Sequence, residues 1–242
     1  MGTRLIEHGL DYEHDDPTVW NLSHPGLISN LHATDIEAGS QLILTNTFGA
    51  NTDWLARFGR AAQASAIIES AVRIARQAAG PFVKVLGSIG PTASSSAVLI
   101  EQAERLLESG VDGLMLETFT CEAGLNALRT LRTRSEVPIF LGLIDAFETV
   151  DAFVDAGADA VGINCVDPVN ATERLLALPI PSQVPRFWKP GAAHPQHGAI
   201  APGAFAAYLP GLLKAGVVGF GGCCGSTSEH IAALRRALEA SA

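Results

Sequence analysis

The fold is decided by residues Pro138–Cys165, PIFLGLIDAFETVDAFVDAGADAVGINC. The stretch opens with a nearly uninterrupted apolar run, Pro138–Ile144. A helical pattern with apolar residues at threes and fours follows over Thr149–Ala156. It then turns at Ala156-Gly157-Ala158 into a second apolar run, Ala160–Cys165. Short runs that are continuously apolar, rather than alternating, are expected of parallel strands covered on both faces. Glycine just past a helix supplies the left-handed cap that turns the chain into the next strand. The stretch therefore reads as strand, helix, strand.

The same unit recurs in both directions. Further apolar runs lie at Gln41–Thr47, Phe82–Ile89, Gly113–Glu117, Arg186–Lys189 and Val217–Gly221. Helical patterns separate them at Ala61–Ala79, Ser96–Ser109, Cys121–Arg134, Asn170–Leu178, Pro202–Ala215 and Ser228–Ala240. Repeated βα units of this kind build either a (β/α)8 barrel or a doubly wound sheet. Polar residues choose between them. Asn46-Thr47, Ser88 with Gly90-Pro91, Glu117-Thr118, Asn164-Cys165, His194 and Cys223-Cys224 stand at or just past the carboxyl ends of different runs. A barrel gathers all such positions onto one face, whereas an open sheet focuses only those near its switch point. The expected fold is an α/β (β/α)8 TIM barrel spanning residues 1–242 as one domain. Only seven runs are strand-like, so the first strand is missing or rearranged. Either Met1–Leu5 is its stub, or the open edge is covered by Leu10–Asn21 or by a neighbouring subunit, since an unpaired edge invites association.

Composition bounds the function. The 242 residues are 48% hydrophobic and 17% charged, with a formal net charge of −9. This suits a soluble globular core and disfavours binding to nucleic acid or to anionic membranes. No apolar stretch is long enough to span a bilayer, and the amino end opens no signal peptide, so a cytoplasmic location is expected. Four cysteines in a chain of this length make no disulfide scaffold. Their placement is more informative: Cys165 ends an apolar run, and Cys223 adjoins Cys224 after Gly221-Gly222.

If the runs ending at Cys165 and before Cys223 flank one intervening strand, three thiolates meet at the barrel mouth. That set suits Zn²⁺, with a fourth position left open for a ligand. A small thiol bound there would lose its proton and remain nucleophilic at neutral pH. The alternatives are that Cys165 is a core residue and Cys223-Cys224 a tight turn, or that Cys121 completes a structural four-cysteine site.

The segments Gly162-Ile163-Asn164-Cys165 and Gly221–Ile231 (GGCCGSTSEHI) resemble the two zinc motifs of the homocysteine S-methyltransferases. Leu44–Asn51, Gly87–Thr92 and Asp112–Thr118 extend the likeness over nearly the whole chain, in wording most like the homocysteine-binding module of cobalamin-dependent methionine synthase. The resemblance implies that Cys165, Cys223 and Cys224 hold zinc and carry the reaction. It implies that Glu117 binds the substrate ammonium, that Ser88 and the turn at Gly90 receive its carboxylate through backbone donors, and that Asn46 and Thr47 line the floor. Asn164 would hydrogen-bond a sulfur or orient its loop. His230 reads instead as part of a helix start at Ser228, and His194 as a pocket wall.

Two departures stand out. The aspartate that family members carry before Met-Gly-Thr is absent ahead of Met1-Gly2-Thr3, and Phe187–His197 (FWKPGAAHPQH) is unusual. The expected activity is zinc-dependent methyl transfer to homocysteine, giving methionine. The alternatives are another small thiol as acceptor, or a non-catalytic zinc-bearing scaffold subunit. No stretch resembles a cobalamin- or folate-binding domain, so the methyl donor would be a separate corrinoid protein or a small sulfonium or quaternary amine.

Overall fold

The computed structural model describes residues 1–241 apart from 93–94, 146, 148–149, 179–183 and 195–197, and describes 193–194 by backbone alone. Nine strands occur among these residues: β1 (Leu42–Leu44), β2 (Lys84–Ile89), β3 (Gly113–Phe119), β4 (Ile139–Leu143), β5 (Ala160–Asn164), β6 (Arg186–Lys189), β7 (Ala193–His194), β8 (Gly198–Ala199) and β9 (Val217–Phe220). Seven of them form one parallel sheet in the order β1-β2-β3-β4-β5-β6-β9, while β7 and β8 make a small antiparallel pair. Every apolar run expected to be a strand is one. The sheet curls so that one face looks inward, and the amphipathic helices pack on the other.

Period-two alternation sorts each strand. Val85, Leu114, Leu116, Ile139, Leu141, Val161, Ile163 and Trp188 belong to the large core beneath the helices. Leu86, Met115, Ala160 and Phe187 cluster separately, joined by Leu44 and Phe140. This second set fills the inside of the curl, as the inward layers of a barrel do. Glycine makes that filling possible beside Phe187. A Cβ on Gly219 would lie 2.8 Å from the Cβ of Phe187, and a side chain on Gly162 would collide with the Phe187 carbonyl.

Closure at the first strand differs from the expectation. Met1–Leu5 is no strand stub, because Gly2–Glu7 is a helix whose Leu5 packs with Leu10, Trp20, Ile28 and Leu31. Thr3 accepts a hydrogen bond through Oγ1 from the Gly225 amide (3.1 Å), which ties this helix to the loop after β9. Arg4 pairs with Asp35 at 2.8 Å and anchors its other side. The helices Pro25–Glu37 and Ser228–Glu239 approach behind it, where Gly39 faces Arg235. Burying one apolar residue and anchoring two polar ones is work a short helix can do, whereas the segment has no continuous apolar run to serve a strand. The Leu10–Asn21 segment also contributes: Asn21 Nδ2 donates to the Asn46 carbonyl (2.8 Å) past the end of β1.

Helix boundaries also differ; Asn170–Leu178, for example, is Pro168–Leu176, started by Pro168 behind the Asp167 cap. Pro202–Ala215 is two helices, Pro202–Ala206 and Leu209–Lys214, because Pro210 has no N–H with which to continue the ladder. The last helix is capped by Thr227, not Ser228: the His230 ring nitrogen Nδ1 accepts from the Thr227 amide (3.1 Å). Its Nε2 then donates to the Ile200 carbonyl (2.8 Å), so His230 is occupied structurally. The start of the helix expected at Thr149 lies outside the described residues; Asp151–Asp155 is helical. No helix among the described residues is long and apolar enough to cross a membrane.

Candidate active site

The inward face rises in two tiers. Four strands place an apolar residue on the floor and a polar one two positions further on: Leu44 then Asn46, Leu86 then Ser88, Met115 then Glu117, Phe187 then Lys189. All eight line one cavity of about 700 Å3. The alternation that puts Phe187 inside also puts Lys189 inside, because side chains on a strand repeat every second residue. Cys165, Cys223 and Cys224 line the same cavity, as do Met1, Gly2 and Thr3.

The three cysteines converge. β6 lies between β5 and β9, so the loops after β5 and β9 face each other across one strand. Their three sulfur atoms all fall within 4.8 Å of one another, with Cys165 Sγ and Cys224 Sγ 3.4 Å apart. Tetrahedral zinc with Zn–S of roughly 2.3 Å needs sulfurs about 3.8 Å apart, so the spread fits a metal ion with little adjustment. No histidine or carboxylate joins the group among the described residues. Cys121 begins the helix Cys121–Arg132 and lies outside the sulfur group, which removes the four-cysteine alternative.

Backbone strain is concentrated here. Cys165 and Thr118 are the non-glycine residues with positive φ among those described, at 63° and 60°. Each costs about 1–2 kcal/mol relative to ordinary backbone, so each needs a restraint. Cys165 has one in its amide, which donates to the Lys189 carbonyl (3.0 Å). Thr118 has one in its amide, which donates to Asn164 Oδ1 (2.8 Å). A register shift between Leu116 and Phe119 inserts an extra residue in β3 against β4, and the strand kinks at Glu117-Thr118 as a bulge does.

The three sulfurs differ in proton affinity. Hydrogen bonds from the thiols of Cys165 and Cys224 hold Cys223 well below the ordinary thiol range, with help from the Lys189 ammonium and against the opposing effect of burial. Cys165 is pushed up by the same hydrogen bonds, to Cys223 first and then Cys224. Cys224 is pulled down by its contact with Cys165, but Cys223 and burial outweigh this and the net shift is upward.

Lys189 was not among the residues picked from the sequence. Its Nζ lies 2.6 Å from Glu117 Oε2, with side-chain exposures of 17% and 10% respectively. Burial alone would lower the lysine, yet the charges of Cys223 and Glu117 outweigh it and hold Lys189 above its usual value. The other carboxylate oxygen, Glu117 Oε1, accepts a short hydrogen bond from Ser88 Oγ. A signal was present in the sequence: RFWK ends in a charge after an apolar run, as GLMLE does.

The remaining expected residues divide by task. Asn46 lines the cavity, but its Nδ2 donates to the Pro17 carbonyl (2.8 Å) and so fastens the amino-terminal segment. Thr47 Oγ1 donates to the Ser88 carbonyl (2.7 Å), clamping the end of β1 to β2. Asn164 is fully buried behind the cavity wall, between Thr118 and Lys189. The side chain of His194 lies outside the described residues.

Comparison with known proteins agrees with this architecture. The model of the family described as homocysteine S-methyltransferase matches residues 1–238, and the chain belongs to that family. It is 28% identical over 289 aligned positions to a methionine synthase of Mycobacterium tuberculosis, covering 98% of this chain and 24% of the relative. It is 26% identical to a methionine synthase of Mycobacterium leprae, covering 91% of this chain and 22% of the relative. The chain therefore spans about a quarter of the length of these relatives. Among solved structures, the metallated form of the homocysteine methyltransferase MmuM from Escherichia coli shares the fold. Its TM-score is 0.81 at 24% identity, covering 98% of this chain and 93% of that one.

Proposed function

We propose that this member of the homocysteine S-methyltransferase family is a zinc-dependent thiol S-methyltransferase that converts homocysteine to methionine, with residues 1–242 forming one homocysteine-binding barrel. The observation that carries the reading is the convergence of three sulfurs within 4.8 Å at the wall of a cavity that also holds a buried carboxylate. Cys165, Cys223 and Cys224 would hold the ion, which when bound keeps an acceptor thiol deprotonated at neutral pH. An all-thiolate set is a weak Lewis acid, which suits sulfur nucleophiles better than hydrolysis.

The chain's own residues do the positioning. Glu117 offers its carboxylate to the substrate ammonium, and Ser88 orients that carboxylate by hydrogen bonding. Asn164 holds the bulge at Thr118, on which the direction of Glu117 depends. Asn46 and Thr47 keep the rim closed around the acceptor. Leu86, Met115, Phe140 and Phe187 form an apolar floor that excludes water from beneath it. The acceptor sulfur attacks the donor's methyl carbon in line. A new S–C bond forms, the bond from methyl to donor breaks, and its electron pair leaves with the donor. Alignment supplies most of the acceleration. The donor is a methylated corrinoid or a small sulfonium or quaternary amine.

Zinc-loaded protein is assayed for methionine formation from homocysteine with methylcobalamin, and separately with S-methylmethionine. Zinc-edge X-ray absorption with and without homocysteine should show a three-sulfur shell gaining a fourth sulfur. A shell with fewer than three sulfurs, or no fourth sulfur on adding homocysteine, refutes the reading.

A further inference from the structure

We infer that Lys189 and Glu117 together form the receptor for the charged head of an α-amino-acid thiol, with Lys189 receiving the carboxylate while Glu117 receives the ammonium. The inference rests on the proposed thiol chemistry and adds a residue and a selection rule to it.

Three observations point this way. First, Lys189 and Glu117 stand on the same tier of the inward face, each two residues above an apolar floor residue, and meet at 2.6 Å inside the cavity that holds the cysteines. Second, the backbone donors expected to take the carboxylate are already engaged. The Ser88 amide donates to Thr45 Oγ1 (3.1 Å), the Gly90 amide donates to the Phe48 carbonyl (2.9 Å), and Pro91 has no N–H. Third, the Lys189 side chain is mostly buried within the cavity wall, and its backbone is fixed where the Cys165 amide donates to the Lys189 carbonyl (3.0 Å).

Charge balance supplies the logic. Within the cavity each of the two groups neutralises the other, which is why both can be buried. A zwitterionic head brings one positive and one negative group, so the pair opens by exchanging partners and no buried charge is stranded. A thiol with only an amine would strand Lys189, and one with only a carboxylate would strand Glu117. The site therefore selects for both groups on one molecule.

The test is calorimetric titration of zinc-loaded protein with three thiols: L-homocysteine, 4-mercaptobutanoate (no amino group) and 3-aminopropane-1-thiol (no carboxylate). Wild type should prefer homocysteine to either analogue by at least about tenfold, the value of one charge-assisted hydrogen bond. Lys189→Met should weaken homocysteine and 4-mercaptobutanoate by about ten- to a hundredfold and leave 3-aminopropane-1-thiol unchanged or tighter. Glu117→Gln should show the mirror pattern, and Lys189→Arg should keep much of the homocysteine affinity. Equal weakening of all three ligands in Lys189→Met, or unchanged homocysteine binding, overturns the inference while wild-type binding leaves the thiol reading intact. Wild type that binds no thiol overturns both. If Lys189→Met does not fold, the Lys189→Arg and Glu117→Gln ligand patterns decide the matter.

Discussion

Removing Glu117 should unbalance the site far more than its size suggests. In Glu117→Ala the Lys189 ammonium keeps its buried position and loses the carboxylate 2.6 Å away, while Ser88 Oγ loses its acceptor. Breaking a buried pair from one side costs about 3–5 kcal/mol, because the remaining charge is uncompensated. The nearby Cys223 thiolate recovers part of this, which favours the lower end of the range. At a urea slope of about 3 kcal/mol per molar, the midpoint should fall by about 1 M.

Lys189→Met alone should also destabilise, by stranding Glu117. The double variant Glu117→Ala with Lys189→Met strands neither charge, so it should be more stable than the sum of the single losses by about 2 kcal/mol or more. Urea unfolding of the four proteins, followed by circular dichroism in the presence of a zinc chelator, measures this coupling directly. Losses that add to within about 0.5 kcal/mol would mean that the two groups do not depend on each other, and the picture of a closed ion pair would fail.

Three further outcomes are expected. Cys165→Ser should lower zinc below one per chain by elemental analysis and abolish methyl transfer with it; full occupancy in that variant would exclude Cys165 from the ligand set. Asn164→Ala removes the acceptor that restrains Thr118, so unfolding should cost about 2–3 kcal/mol less and the thermal midpoint should drop by several degrees. His32 is held neutral by burial first, then by the positive charges of the amino terminus and Arg4, which lower it from 6.5 to about 4. Between those values the unfolded chain binds a proton that the folded one does not, so stability falls as pH drops. About 2 kcal/mol should be lost between pH 7 and pH 4.5, and His32→Gln should flatten that slope in urea titrations.

Much of the fold was legible because its signals are local. A run such as PIFLGLI declares a strand buried on both faces without reference to the rest of the chain, and all seven runs form the main sheet. The cysteine set was legible for a related reason. Parallel order makes loops after alternate strands face each other, so Cys165 and Cys223-Cys224 could be brought together on topology alone. Local signals failed where the chain could satisfy its polar groups in more than one way. Met1–Leu5 has too few apolar residues to declare itself, and it became a helix through contacts with Leu10, Trp20 and Ile28. Pro202–Ala215 kept a helical period across a proline that divides it.

By itself, then, the sequence determined the parallel βα architecture, the face on which polar residues gather, and the identity of the three sulfurs, since each follows from periodicity and connectivity. Tertiary structure alone decided which charges meet. Lys189 and Glu117 are 72 positions apart on strands that are not neighbours in the sheet. Only the curl of that sheet, set by twist and by the packing of Phe187 and its neighbours, carries the two ends across the cavity to within hydrogen-bonding distance.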